Sequence, residues 1–198
     1  MTQAEYLSGL SFSRMQKEDF SWSSAQHLQR SGFTPQQIEQ ARERFSGFGG
    51  YIKPMPMAYR RLVDGASLSI NGNRWRVVVG RGHSPEHACL YCENLNILIS
   101  GDQVIPRITS NVSVMGGEPE ANPLKDWLYS HEHFLEVLPA DALVLPAHNA
   151  PFHGLHHRLR YLIEHHEEHL LALEEACLDG QPSAMDLLSV LFKRPLAD

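Results

Sequence analysis

Apolar positions in this chain follow a helical period at both ends and a β-type rhythm in the middle. Residues 1 to 46 read as helix: a short piece from Ala4 to Leu10, a second from Ser21 to Arg30, and a third opened by Thr34-Pro35-Gln36-Gln37. Thr34 caps that third helix, Pro35 suits its first turn, and Gln37 stands where a capping box needs it. Gly47 to Met57, with three glycines and two prolines, breaks the helical pattern. Ser67 to Ile70 and Arg74 to Val79 then flank Asn71-Gly72-Asn73, a hairpin signal because Asn and Gly tolerate positive φ. Ala88 to Tyr91 and Asn96 to Ser100 read as a second antiparallel pair turned with the help of Asn94, and Ala142 to Leu145 as a further buried strand.

Between and after these strands the helical period returns. Asn122 to Leu138 predicts a helix with Trp127, Leu128, Phe134, Leu135 and Leu138 on its inner stripe. Leu155 to Leu178 predicts a long one, with Leu155, Leu159, Leu162, Ile163, Leu170, Leu173 and Cys177 facing the sheet. The whole is an α/β pattern with an N-terminal helical segment. Neither an internal repeat nor a low-complexity tract interrupts it.

Composition narrows the class. With 198 residues and 42% apolar content the chain can bury a sizeable core as one compact domain. A net charge of −6 without a Lys/Arg cluster argues against a nucleic-acid footprint. No apolar run approaches the roughly 20 residues that span a bilayer, and residues 1 to 15 lack the order of a signal peptide, so the expectation is a cytoplasmic protein. Three cysteines, Cys89, Cys92 and Cys177, form no disulfide framework. On a strand, Cys89 and Cys92 point to opposite faces, which makes them small buried hydrophobes rather than a chelating pair.

Candidate chemistry concentrates in three short motifs. Gly82-His83-Ser84-Pro85-Glu86-His87, Ser100-Gly101-Asp102 and Pro146-Ala147-His148 each place a metal-binding side chain beside the end of a β-type run, so His83, Asp102 and His148 can converge on one sheet edge. Two imidazoles and a carboxylate form a common three-ligand set for a divalent ion. His87, four residues beyond His83, reads as an auxiliary hydrogen-bonding residue. The remaining histidines carry less. His165-His166-Glu167-Glu168-His169 matches the H-x-x-E-H pattern of inverted zinc peptidases, but too few residues follow to supply the further carboxylate, and a solvated helix face is the better reading. His131 and His133 read as helix surface, and His153, His156 and His157 as surface or pocket rim. Gly47-Phe48-Gly49-Gly50 has no lysine to make it a phosphate loop.

The order GHSPEHACLY, SGDQV, PAHNAPF resembles the second half of the metallo-β-lactamase superfamily, over roughly residues 50 to 178. The resemblance implies the C-terminal half of an αββα sandwich and a metal-dependent hydrolase, in which activated water attacks an ester, thioester, lactam or phosphodiester. It implies zinc as the cofactor, with His83 on one ion, Asp102 bridging two, and His148 on the second. It further implies a helical cover at residues 1–62, a partial catalytic domain at 63–178, and the opening of a winged-helix-like module at 179–198. Tyr51, Met55, Met57 and Tyr59 are candidates to line a pocket under the cover or to pack in a core.

The family's upstream His-x-His-x-Asp-His string is missing here, and His131-Glu132-His133 lies on the wrong side of the Gly-Asp motif to replace it. The resemblance therefore implies a member without its N-terminal half, with two ligands per ion where catalytic zinc sites generally use three. One apolar sheet face would be left bare unless the helices of residues 1 to 62 fold over it or two chains pair, and pairing, as a homodimer or a swapped assembly, is the expected remedy. Two readings stand: a metal-dependent hydrolase, impaired in this chain, and an inactive remnant that persists as a dimeric scaffold without metal.

Overall fold

The computed structural model describes residues 1–15, 20–45 and 53–192. Three helices come first: α1 (Gln3–Arg14), α2 (Trp22–Arg30) and α3 (Pro35–Arg44). The capping box is present, with Thr34 Oγ1 accepting from the Gln37 amide and the Gln37 side chain accepting from the Thr34 amide. Most of the expected Gly47–Met57 loop, Tyr51 included, lies outside the described residues, as does the end of the 179–198 segment.

Strands β1 (Ser67–Ile70), β2 (Asn73–Gly80), β3 (His87–Cys92), β4 (Ile97–Gly101) and β5 (Leu143–Pro146) form one five-stranded sheet in chain order. Asn71 and Gly72 take φ of 49° and 78°, so the first hairpin turns on two residues as expected. In the second hairpin the left-handed residue is Asn96, at φ 51°, and not Asn94. The Asn96 amide closes the turn on the Glu93 carbonyl at 3.2 Å, and its side chain accepts from the Tyr91 hydroxyl at 3.1 Å. Successive neighbours from β1 to β4 are antiparallel, whereas β4 and β5 run parallel, joined by a crossover through α4 (Pro123–Val137). Asn122 caps α4 by accepting from the Lys125 amide.

One sheet face carries the core. Val78, Cys89, Tyr91, Leu98 and Val144 pack against Trp127, Phe134 and Leu138 of the α4 region and Leu155, Leu159 and Leu162 of α5 (Leu155–Ala176). The long helix does not stay on the sheet, however: Leu170 and Cys177 are exposed. Twenty-two helical residues extend about 33 Å, further than these short strands reach, so the C-terminal turns overhang. They meet α6 (Leu188–Leu191).

The opposite face is also apolar. Register aligns Val77, Leu90, Ile99 and Leu145 in one row across four strands. Val77 and Cys92 are sealed there, while Ile99 is 39% exposed. Cys89 and Cys92 thus lie buried on opposite faces, and burial pushes the Cys89 thiol pKa up. The α/β class and the half-sandwich architecture are both present, with α4 and α5 packed on one face of a single sheet. No helix among the described residues is long and apolar enough to cross a membrane.

Candidate metal centre

Strand directions determine which ends meet. Because β4 and β5 are parallel, with Gly101 paired to Pro146, the residues just beyond them leave at the same edge. The Ala147 amide continues the pairing by donating to the Gly101 carbonyl at 3.0 Å. Asp102 and His148 follow immediately. β3 is antiparallel to β4, so its start lies at this edge too, and Gly80 opposite His87 brings the end of β2 with it. The connection between β2 and β3, which carries His83, therefore opens onto Asp102.

The Asp102 carboxylate sits between two imidazoles. His148 Nε2 lies 3.1 Å from Oδ1, and His83 Nε2 lies 3.8 Å from Oδ2. Each ring thus faces a different carboxylate oxygen. His83 and Asp102 are about three-quarters buried, whereas His148 is 63% exposed and approaches from the solvent side. His87 stands back from the acid, its ring edge-on to His83 with centroids 6.1 Å apart. Burial lowers the His87 pKa, with a smaller contribution from the neighbouring His83 charge.

Orientation of His83 follows from one hydrogen bond. Its Nδ1 lies 2.8 Å from the Asn111 carbonyl, which can only accept, so Nδ1 carries the proton. In the neutral ring Nε2 is then a bare lone pair aimed towards a carboxylate oxygen. Two lone pairs facing each other repel, and a cation or a proton between them removes the conflict.

The backbone around the acid is held from several sides. Ser110 donates its hydroxyl to the Asp102 carbonyl. Gln103 Nε2 donates to the Arg81 carbonyl at 3.1 Å, and the Arg81 amide donates to Ser130 Oγ on α4 at 2.9 Å. Gly82, at φ 98°, lies so close to Trp127 and the Pro123 carbonyl that a Cβ would collide with α4. Gly101, at φ 55°, lies against the His87 ring, where a Cβ would strike Nε2. Glu86 ties the same loop to α1: its carboxylate accepts from the Ala4 amide at 3.1 Å and its carbonyl from the Thr2 hydroxyl at 2.8 Å.

Ser110, Asn111 and Glu86 were not singled out by the sequence pattern. Glu86 stands inside the GHSPEH motif, which was its one available signal. Other histidines depart from expectation. His131 is fully buried rather than on the helix surface, because α4 turns it inward against Trp127, at 3.7 Å between ring centroids, with Nδ1 donating to the Trp127 carbonyl. His165, His166 and His169 are half-buried rather than solvated. His156 Nε2 bonds the Leu138 carbonyl at 2.7 Å, which places it under the turn between α4 and β5.

Two cavities flank the region. One of about 520 Å³ is lined by Thr2, Arg61, Asp64, Arg81, Glu86 and Tyr129 among others, and one of about 400 Å³ by Ser110, Asn111 and His166 among others. None of His83, Asp102 and His148 lines either, nor do Met55, Met57 and Tyr59. Tyr59 stacks on Tyr6 at 3.9 Å, Met55 packs beside Gly9, and Met57 is fully exposed.

In kind, two imidazoles and an acid suit a divalent ion. In number they fall short of a closed cage: among the described residues no group of three or more His, Cys, Asp or Glu side chains is gathered as a complete cation site. The split geometry explains this, since the rings flank different oxygens of one carboxylate instead of pointing at one spot. The sequence pattern of the metallo-beta-lactamase superfamily matches residues 16–156. The chain belongs to that superfamily. Among solved structures, a beta-lactamase domain protein from Burkholderia ambifaria matches this metallo-beta-lactamase-fold chain over 100% of its length, with a TM-score of 0.88 and 38% identity, using 54% of that chain. A metallo-beta-lactamase family protein from Thermus thermophilus matches over 98%, with a TM-score of 0.75 and 30% identity, using 60% of its own length. An uncharacterized protein of Aquifex aeolicus (strain VF5) is 30% identical over 108 residues, 54% of this chain and 49% of its own. The superfamily member described here thus spans about half the length of the relatives it matches.

Proposed function

We propose that this chain carries part of the centre of a metal-dependent hydrolase, with His83, Asp102 and His148 as ligands and zinc as the ion. The observation that carries the reading is the shared carboxylate, flanked by Nε2 of His148 at 3.1 Å and Nε2 of His83 at 3.8 Å, with His83 held in the Nδ1-protonated form by Asn111. A ligand imidazole that donates its other nitrogen to a backbone carbonyl is the usual way a metal site fixes ring and tautomer. When bound, the ion supplies Lewis-acid activation of water for attack on an ester, thioester, lactam or phosphodiester.

The chain's own residues do the rest. Asp102 balances the cation's charge, His83 and His148 present imidazole Nε2 donors, and His87, whose pKa burial lowers, packs edge-on to His83. Each position receives one imidazole and one carboxylate oxygen from this chain, so its activity alone is expected to be weak. Residues 1–62 act as the cover in this reading, 63–178 as the catalytic part and 179–198 as the start of a following module. The unpaired cysteines fit a reducing, cytoplasmic setting. The test is metal content after zinc loading and desalting, followed by hydrolysis of a panel of the four substrate classes. One or two ions per chain and turnover abolished by chelator support the proposal; a metal-free protein, or chelator-resistant turnover, contradicts it.

A second reading, a dimeric scaffold without metal, is favoured by the sheet face that turns away from α4 and α5. The row Val77, Leu90, Ile99 and Leu145 leaves Ile99 39% exposed, and a second copy would cover it. Sedimentation of the wild type and of Ile99→Lys separates the cases. A dimer that the charge splits supports pairing through this face, and a wild-type monomer excludes it.

A further inference from the structure

Arg158 stands one turn into α5 and is 9% exposed. Its Nε donates to the Ile105 carbonyl at 2.7 Å and one terminal nitrogen to the Ile108 carbonyl at 2.8 Å. The guanidinium also lies over the Tyr161 ring, 5.1 Å from its centroid. Among the described residues no carboxylate pairs with it. A buried cation answered only by two carbonyls and a ring face, with no counter-charge, is costly, and a Leu or Met would fill the same space without that penalty. Stability alone therefore gives a poor reason for an arginine here. Its distinguishing property is a rigid fork that fixes two acceptors relative to each other.

Those two acceptors belong to the segment that supports the candidate centre. Residues 105–112 have no regular secondary structure. Ile105 and Ile108 are gripped by Arg158, and the next residues deliver two of the site's supports: Ser110 to the Asp102 carbonyl and the Asn111 carbonyl to His83 Nδ1. An irregular segment has no ladder to place its carbonyls, so a bond from outside must do so. The path runs from α5 through one side chain to the orientation of the imidazole.

We infer that Arg158 is a positioning residue of the candidate metal centre, holding residues 105–108 so that the Asn111 carbonyl keeps the His83 ring in the tautomer that aims a bare Nε2 at Asp102. The link from ring orientation to cation affinity rests on the hydrolase reading; the link from Arg158 to ring orientation does not.

The experiment uses the full chain with Arg158→Met and Arg158→Lys. Imidazole nitrogen spectra of the metal-free protein, with the His83 signal assigned by its loss in His83→Gln, report the tautomer. The wild type shows Nδ1 protonated. Arg158→Met shows mixed tautomers, and Arg158→Lys, which keeps the charge but has no fork, falls between. Zinc affinity by competition is expected to drop about 10- to 100-fold in Arg158→Met. An unchanged tautomer in a folded variant overturns the inference, whether or not zinc binds. A shifted tautomer in a chain whose wild type takes up no zinc sustains the positioning role and rejects the metal reading. If Arg158→Met does not fold, Arg158→Lys decides: a wild-type tautomer there overturns the inference, and a mixed one supports it.

Discussion

The histidines at the sheet edge and those on α5 are the same chemical group in two settings, and the difference lies in what stands between them. His83 and His148 flank a carboxylate, and His83 is pinned at Nδ1 by a backbone carbonyl. His165, His166 and His169 lie with ring centroids 4.1 to 6.2 Å apart, beside Trp127 and Tyr161. Burial lowers the pKa of His165 and His166; the neighbouring His169 lowers both further, and Glu168 offsets part of the shift at His165. Spacing of i, i+4 on a helix brings rings together but, among the described residues, supplies neither a carboxylate at ion-pair distance nor a backbone bond that fixes a tautomer. A cation site needs both.

The largest effect should come from the acid. Asp102→Ala removes the shared ligand and is expected to take zinc binding below detection in a competition titration, whereas His165→Ala with His169→Ala changes it less than about twofold, within the range of surface effects. A reversed result would move the metal to α5.

A third setting sharpens the comparison. His131 has neither acid nor solvent, and burial pulls its pKa down to about 4 from 6.5. The unfolded chain therefore binds a proton that the folded chain refuses, so stability falls as pH drops from about 6.5 towards 4 and flattens below. The loss is about 3 kcal/mol by linkage. Urea unfolding of wild type and His131→Leu across that window should show a steeper loss in the wild type, the slope left in the variant coming from His87, His165 and His166, whose pKa values burial also lowers. A smaller effect is expected of Gly101→Ala. A side chain at φ 55° against the His87 ring should cost about 1 to 2 kcal/mol in the same assay and weaken zinc binding, since Asp102 is the next residue.

What could be read from the chain alone was local or strand-ended. The Asn71-Gly72 turn, the Thr34 box and the capped helix from Asn122 each have their cause within four residues. Asp102 beside His83 followed from antiparallel pairing of adjacent strands, and the pairing of β4 with β5 added His148. The supports were illegible because their partners are distant in the chain: Arg158 reaches back 50 and 53 residues to its carbonyls, and Glu86 meets residues 82 and 84 positions away. His131 was misread because His131-Glu132-His133 has the polarity of a solvated face. Only the packing of Trp127 shows that the first of these histidines turns inward. Leu170 and Cys177 kept the helical rhythm beyond the point where there is sheet to cover.

The ligand assignment is tested most directly by anomalous diffraction at the zinc edge from crystals grown with the metal. The account predicts density beside the Asp102 carboxylate, about 2.0 to 2.2 Å from its oxygen and from Nε2 of His83 or His148. Anomalous density confined to the α5 histidines, or none at the sheet edge in zinc-saturated crystals, would contradict it.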